Sequence, residues 1–141
     1  MSLTVEKYLA AWNNHDTKLI RELFDASAVY KMAGKQPLQG IEAICRYWER
    51  NKKRQYNLKI FPPLKLSDAP NSSSFVFCAT FADTEEREDQ TVYGHITLQH
   101  RDGRIFDLAE SYLLERRKFV ETNTGALLSA VNPVAGFFRQ A

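Results

Sequence analysis

The stretch YGHITLQHRDGRIFDLAESYLLE, residues 93–115, alternates apolar and polar side chains on both sides of a central Asp102-Gly103 pair. An Asp-Gly pair between two alternating segments is a strong short-range signal for a β-hairpin with a two-residue turn. The stretch therefore predicts two long antiparallel strands. These strands also carry a histidine, His95, and a glutamate, Glu110, which the hairpin could bring together.

The register of this hairpin decides which side chains share a face. With Asp102-Gly103 as the two turn residues, His95 faces Glu110, and their Cβ atoms are ~4.5–5.5 Å apart. A type I turn with a bulge at Gly103 is the alternative; it would remove Glu110 from that face and bring Asp107 onto it as a backup acid. We favour the first register because it gathers one apolar and aromatic set beside the pair: Tyr93, Thr97, Phe106, Leu108 and Tyr112.

The rest of the chain contains three helical patterns and further strand patterns. Apolar residues recur at helical spacing in SLTVEKYLAAWNN, in TKLIRELFD after the N-cap candidate Asp16, and in IEAICRYWERN. SAVYKM is predicted as a short strand, and longer strands are predicted in QYNLKIFPPLKL, with a kink at Pro62-Pro63, in SFVFCATFAD and in DQTVYGHITLQH. With the strand RIFDLAESYLLE, this order predicts an α+β fold, in which a curved, mostly antiparallel sheet has helices on one face.

Length and composition indicate one ordinary globular domain. The chain has 141 residues and a formal net charge of +2, and its basic clusters at 50–54 and 115–118 are interpreted as solvated surface, so no nucleic-acid partner is expected. Cys45 and Cys78 lie in apolar contexts without metal-binding spacing, which predicts two reduced, buried cysteines. No signal peptide or membrane span is recognisable, so we expect a cytoplasmic protein without a membrane partner.

The C-terminal segment, residues 119–141, follows no clear pattern. Its parts GALLSAV and VAGFF are too apolar for a free tail. We therefore predict a single domain over residues 1–118 and a C-terminal extension that packs on the body, closes a pocket or contacts a partner subunit.

Three segments in this order, YLAAWNNHDTKLIRELFDASAVY, LQGIEAICRYW and DGRIFDLAESY, resemble the nuclear-transport-factor-like superfamily, which includes the SnoaL-like polyketide cyclases and the ketosteroid isomerases. The resemblance covers residues 3–115. It implies a cone in which a strongly bent sheet wraps round three helices and encloses a pocket. Members range from isomerases, cyclases and dehydratases to binding or interaction domains, so the fold alone does not give the function.

Part of the ketosteroid isomerase site has counterparts in this chain. In those enzymes a tyrosine on the first helix and a protonated aspartic acid on a late strand hold the developing oxyanion. By spacing, Tyr8 matches that tyrosine and His95 matches that aspartic acid. The isomerase base, a carboxylate just after the first strand, has no match, because YKMAGK contains Lys31 and Met32 but no acid. Glu110 is then the carboxylate that could act in its place, from another wall of the pocket.

We accordingly predict a catalytic trio of Tyr8, His95 and Glu110. A neutral His95 or the Tyr8 hydroxyl would donate to a substrate carbonyl, while Glu110, its pKa raised by apolar surroundings, would move a proton. The alternative is that His95 and Glu110 form an ion pair that satisfies itself. The residues predicted to line the pocket, each with an ordinary core position as its alternative, are Trp12, Tyr30, Met32, Trp48, Phe77, Phe81, Tyr93, Thr97, Leu108 and Tyr112.

Three functions remain open from the sequence. The first is a small enzyme without metal or cofactor, an isomerase, cyclase or dehydratase that acts on a small hydrophobic carbonyl compound by proton transfer. The second is a ligand-binding domain of the same fold without chemistry. The third, compatible with either, is a homodimer through the outer sheet face, where an apolar surface would come from Ile96, Leu98, Ala109 and Leu113. His15 and His100 are expected to be exposed.

Overall fold

A computed structural model describes residues 2–121, 127 and 128 of the chain. Its helices are α1 (Leu3–Asn13), α2 (Thr17–Leu23) and α3 (Ile41–Arg54). Its strands are β1 (Phe24–Met32), β2 (Leu38–Gln39), β3 (Gln55–Ile60), β4 (Leu64–Ala69), β5 (Ser72–Asp83), β6 (Glu88–Arg101), β7 (Arg104–Lys118), β8 (Val120–Glu121) and β9 (Leu127–Leu128). Among the described residues, no helix is both long and apolar enough to cross a membrane.

The strands β1 to β7 form one curved sheet, and the helices pack against it. The strand order is β2-β1-β7-β6-β5-β3, with β4 also paired to β5. The pairing of β1 with β7 is parallel, and the other pairs are antiparallel. Three helices with a mostly antiparallel curved sheet confirm the predicted α+β fold.

Local sequence explains where several elements begin and end. The Asp16 carboxylate accepts a hydrogen bond from the backbone N–H of Leu19 at 3.0 Å, which confirms the predicted cap of α2. The predicted strand QYNLKIFPPLKL is two strands, β3 and β4, which pair with opposite ends of β5. Pro62 and Pro63 lie between them, because proline has no N–H to donate to a sheet.

The C-terminal prediction is only partly covered by the structure. Val120–Glu121 pairs with Leu127–Leu128 in a separate two-stranded sheet. Residues 122–126 and 129–141, where the extension was predicted to pack on the body, a pocket or a partner, lie outside the described residues. Both cysteines are free; Cys45 is buried and Cys78 is half-buried.

An aromatic cluster joins the helices to the sheet. The ring of Tyr8 meets that of Trp48 edge to face at 5.9 Å between centroids, and Trp12 meets Trp48 at 6.2 Å. Tyr30 stacks on Phe24 at 6.2 Å from the strand side. Because such pairs add about 0.5–1.5 kcal/mol each to the burial of their surface, the cluster fixes α1 and α3 on β1.

The hairpin turn forms as predicted, but the register changes immediately after it. Asp102 and Gly103 both have positive φ angles, 53° and 76°, as a two-residue primed turn requires. Arg101 then faces Arg104. Between Gln99 and His100 the register shifts by one residue, because β7 contains a bulge there.

The bulge separates the two residues that the hairpin was predicted to bring together. Beyond it His95 faces Ser111, and Glu110 faces Ile96. Since side chains alternate between faces, His95 and Glu110 lie on opposite faces of the sheet. The predicted His95–Glu110 contact is therefore wrong. The alternative placed the bulge at Gly103, which is also wrong, but its consequence is confirmed, because Glu110 leaves the face of His95 and Asp107 shares it.

The same shift changes the predicted outer face. Ile96 and Leu98 are fully buried in the core, whereas Leu113 is 76% exposed on the outside. Ala109 lies on the outer face with Leu113. The homodimer through this face stays a prediction, with a smaller apolar surface than the sequence indicated.

The histidines expected on the surface are partly or fully covered. His100 is buried, and its Nε2 atom lies 3.1 Å from the Ser73 hydroxyl. His15 is half-buried against Gln55. The expectation of exposure is wrong in both cases, because each ring has a polar partner from a segment distant in sequence.

We expect Gly94→Ala to destabilise the fold, because the Phe77 ring lies directly over the Gly94 backbone. An added Cβ would lie 2.3 Å from two atoms of that ring. Overpacking of this kind costs about 1–3 kcal/mol, measurable as a loss of unfolding free energy in urea. In a Phe77→Ala background the same glycine substitution should cost much less. Equal costs in both backgrounds would contradict this account.

Candidate functional site

A cavity of about 250 Å³ opens between the helices and the inner face of the sheet. One part of its lining is aromatic and aliphatic, formed by Trp12, Tyr47, Phe81, Val92, Tyr112 and Leu114. The other part is charged or polar, formed by Lys35, Arg50, Asn51, Arg54, Gln55, Asp83, Gln90, Glu110 and Arg116. The cavity can therefore hold the apolar body of a small molecule and contact its polar groups.

Glu110 is the buried acid of this cavity. It lies on the inner face of β7, and the residue is only 9% exposed. The parallel neighbour β1 places Met32 beside it, and the N–H of the next residue, Ala33, donates to the Glu110 backbone carbonyl at 2.9 Å. The position of the acid is thus determined by the β1–β7 pairing as well as by the hairpin.

Two buried tyrosines form a hydrogen-bond chain to the Glu110 carboxyl group, on the side away from the cavity. The Tyr30 hydroxyl donates to Oε1 of Glu110 at 3.2 Å, and the Tyr8 hydroxyl lies 3.1 Å from that of Tyr30. Because the single Tyr30 proton is given to Glu110, Tyr8 must donate to Tyr30. Tyr8 and Tyr30 are 1% and 2% exposed and do not line the cavity.

These surroundings change the pKa values of Glu110, Tyr30 and Tyr8. Burial raises the pKa of Glu110 to about 7, and the Tyr30 hydrogen bond and the charge of Lys35 lower it only partly. Burial, followed by the nearby Glu110 charge, raises the pKa values of Tyr8 and Tyr30 well above the ordinary 10. Glu110 can therefore change protonation state near neutral pH, while both tyrosines remain donors.

A second hydrogen-bond cluster orients an amide at the cavity. The Gln55 Oε1 atom accepts from the Trp12 indole N–H at 3.2 Å and lies 3.0 Å from Nε2 of His15. Because an indole only donates, the Gln55 atom in contact must be its oxygen, and His15 must donate through Nε2. The amide nitrogen of Gln55 is then the end that can donate to a ligand.

Ion pairs surround part of the cavity. Arg54 contacts the Asp83 carboxylate at 2.8 Å, and the Gln90 amide donates to the same carboxylate at 3.2 Å. Burial raises the pKa of Asp83, but the Glu86 backbone N–H and the Arg54 guanidinium outweigh it and hold this pKa below its ordinary value. Asp83 therefore stays ionised and holds Arg54 in place.

Of the predicted catalytic trio, only Glu110 lines the cavity. Tyr8 reaches Glu110 indirectly through Tyr30, as a core residue. His95 lies on the outer face, where its Nε2 atom is 2.7 Å from the Ser74 hydroxyl in an open groove. The spacing match between His95 and the isomerase aspartic acid therefore does not correspond to a shared position in the cavity.

The predicted ligand-binding residues divide into three groups. Those that line the cavity are Trp12, Phe81 and Tyr112. Those that are buried in the core instead are Tyr30, Met32, Trp48, Phe77 and Leu108. Those that line or adjoin the outer groove are Tyr93 and Thr97, of which Thr97 donates to Ser74 at 3.4 Å. The backup acid Asp107 is paired with Lys31 at 3.0 Å.

Several cavity residues were missed in the sequence. Tyr47, Arg50, Asn51 and Arg54 form one face of α3, and their helical spacing could have identified them. The solvated-surface interpretation of 50–54 fits the exposed lysines of this cluster but is wrong for Arg54, which is half-buried in an ion pair. Lys35 carried no local signal, since it lies in the turn between β1 and β2.

A metal-binding arrangement is not evident in the part of the chain that the structure describes. No three histidine, cysteine, aspartate or glutamate side chains converge there. The functional groups of the cavity are therefore its carboxyl, amide, ammonium and guanidinium side chains.

Comparison with solved structures identifies the fold. A proposed isomerase from Bacillus subtilis is 22% identical, with a TM-score of 0.68 over 78% of this chain and 84% of that chain. An LEH-like epoxide hydrolase from M. tuberculosis is 16% identical, with a TM-score of 0.65 over 78% and 80%. An NTF2-like protein from Burkholderia xenovorans is 14% identical, with a TM-score of 0.64 over 78% and 86%.

Sequence comparison is consistent with this fold. No curated protein matches the chain significantly. The family model of the SnoaL-like domain matches residues 5–108. The match confirms the predicted resemblance, and the chain belongs to the SnoaL-like domain family.

Proposed function

We propose that this protein is a cofactor-independent enzyme that moves a proton on a carbonyl compound, as an isomerase, cyclase or lyase does. The observation that carries the proposal is Glu110, a cavity carboxyl group whose pKa is raised to about 7. A general acid–base works best when its pKa is close to the working pH. The isomerase and the epoxide hydrolase that share the fold support an enzymatic role by analogy.

The proposed step uses the ionised form of Glu110 as the base. Its carboxylate removes a proton from the carbon beside the carbonyl, the C–H electrons form an enolate, and the negative charge moves to the carbonyl oxygen. The protonated Glu110 then returns the proton to another atom of the same substrate. Atoms and electrons balance without a further reactant.

The enolate oxygen needs donors, and the cavity offers them. The Gln55 amide is held by Trp12 and His15 with its nitrogen able to donate. Fixed donors at the position of developing charge stabilise a transition state more than mobile water does. In this proposal Gln55 takes the role that the sequence suggested for His95 or Tyr8.

Tyr30 and Tyr8 are positioning residues in this mechanism. Their hydrogen-bond chain stabilises the ionised form of Glu110 and holds its orientation, while burial favours the neutral form. The balance between the two effects keeps the pKa close to neutrality.

We expect Glu110→Gln to slow proton transfer by the protein strongly. Exchange of the hydrogens beside the carbonyl of propiophenone with deuterium from D₂O, followed by proton NMR, measures this step directly. The expected loss is about 10²–10⁴-fold, the usual contribution of a general base. Asp107→Asn removes a carboxyl group on the same strand that is paired with Lys31 and does not line the cavity, so it should leave exchange unchanged.

The same measurement separates the enzyme from the ligand-binding alternative. If Glu110→Gln exchanged as fast as the unchanged protein, Glu110 would not be the base. If the wild-type protein bound the ketone but neither it nor any variant accelerated exchange, ligand binding without catalysis would be the better description of its function.

Tyr30→Phe should shift the pH profile of exchange upward. The substitution removes the hydrogen bond that lowers the pKa of Glu110, so the active carboxylate form appears only at higher pH. Tyr8→Phe should cause a smaller shift in the same direction, because Tyr8 acts through Tyr30. A Tyr30→Phe profile that loses rate at all pH values without a shift would contradict this role.

The raised pKa of Glu110 also predicts the dependence of stability on pH. Between its ordinary value of 4.5 and about 7, the unfolded chain loses this proton while the folded protein keeps it. The free energy of unfolding should therefore fall as pH rises through this window, by about 3 kcal/mol in total.

Urea unfolding of wild type and Glu110→Gln at about pH 5 and about pH 8 tests the linkage. The variant should gain stability relative to wild type at the higher pH, because it has no proton to lose. Asp107→Asn is the control, because it removes a carboxyl group that lies outside the cavity. A stability difference between wild type and Glu110→Gln that did not vary with pH would show that Glu110 ionises normally in the folded state.

A further inference from the structure

The cavity is lined by more positive than negative side chains. Four cationic residues contribute to it, and only two carboxyl groups do. One of these carboxyl groups, Glu110, is partly neutral near pH 7 because of its raised pKa. A concave site with an excess of one charge attracts ligands of the opposite charge. The cationic residues are Lys35, Arg50, Arg54 and Arg116.

Two of the four cations are already compensated by acidic partners. Arg54 contacts Asp83 at 2.8 Å and Glu85 at 3.3 Å. Arg116 lies 3.5 Å from Glu88, a fully buried carboxylate that Lys118 also contacts at 3.1 Å. These pairs hold the strands at the cavity together, and their charges are balanced within the protein.

Lys35 and Arg50 differ from the other two. Among the described residues, neither has an ion-pair partner. The Lys35 ammonium lies 5.7 Å from the centre of the Tyr112 ring, which directs it to a wall of the cavity. Arg50 comes from α3, a different element that lines the same cavity. Two exposed cations without an ion-pair partner among the described residues therefore reach one cavity from two separate segments, and Lys35 is also close enough to Glu110 to lower its pKa.

We propose that the substrate of this cavity carries a carboxylate group that Lys35 and Arg50 bind. The apolar body of the molecule would pack on Trp12, Phe81 and Tyr112, with its carbonyl group directed to Glu110. The inference rests on the proposed function in that it assigns the same cavity as substrate site; it adds the chemical class, a small keto acid.

A carboxylate fits the site better than a phosphate does. Phosphate groups are typically held by backbone N–H groups at a helix N-terminus. The helix residues that line the cavity come from the C-terminal halves of α1 and α3, where the helix dipole is negative. This negative end opposes a doubly charged phosphate more than a singly charged carboxylate. A singly charged group bound by a lysine and an arginine matches this lining, and the volume of about 250 Å³ limits the ligand to a small molecule.

The test uses two probes, benzoylpropionate and its methyl ester, which differ in the charge of one terminal group and by the methyl group that removes it. Binding of each to the full chain is measured by titration calorimetry at neutral pH. Wild type should bind the carboxylate at least about tenfold more tightly than the ester, since charge-assisted hydrogen bonds contribute about 1.5–3 kcal/mol. The affinity for the carboxylate, and not for the ester, should fall as salt is added.

Single substitutions locate the anion site. Lys35→Gln and Arg50→Gln should each weaken carboxylate binding about tenfold and leave ester binding unchanged. Lys52→Gln, on the same helix as Arg50 but not part of the cavity lining, is the matched control and should change neither. Equal affinity of wild type for the two probes, absence of carboxylate binding, or equal loss in all three variants would overturn the inference.

Failure of the inference can be told apart from failure of the proposed function. Glu110→Gln should keep the preference for the carboxylate while it loses hydrogen exchange. Carboxylate preference without exchange in wild type would support the anion site and contradict the enzyme. Exchange of both probes without preference would support the enzyme and contradict the anion site.

Discussion

The hydrogen bond from Tyr30 to Glu110 is the interaction on which the site depends. It requires the parallel pairing of β1 with β7, which places the two side chains on one face of neighbouring strands. It also requires α1, because the hydroxyl of Tyr8, on this helix, donates to the hydroxyl oxygen of Tyr30. The first helix, the first strand and the last long strand therefore all contribute to the position of one carboxyl group, that of Glu110.

Burial of this carboxyl group has a cost in stability that the fold offsets elsewhere. A buried acid with one hydrogen-bond donor to Oε1 is less stable when ionised than it would be in water. The aromatic cluster around Trp48 and the ion pairs of Asp83 and Glu88 hold the surrounding elements in place. A carboxyl group with a raised pKa is thus supported by neighbours that take no part in the proposed proton transfer.

Local patterns in the sequence were sufficient for most of the fold. The three helices, the cap at Asp16 and the turn at Asp102-Gly103 follow from signals within a few residues of each element. Glu110 was also identified, although the pairing with His95 that drew attention to it does not form. The partners of Glu110 were not predictable, since the contact with Tyr30 depends on a pairing between strands that are 80 positions apart.

The bulge beside Gln99 is the reason that the predicted contact between His95 and Glu110 does not form. It also bears on how related chains can come to differ. One extra residue on β7 decides that Glu110, and not Ala109 or Ser111, faces the cavity. Loss of that residue would exchange the chemistry of the pocket without any substitution in it, and the turn would keep its geometry. In this chain, a change of length beside the hairpin would therefore alter which side chains enter the cavity, and a comparison of matched positions would not reveal it.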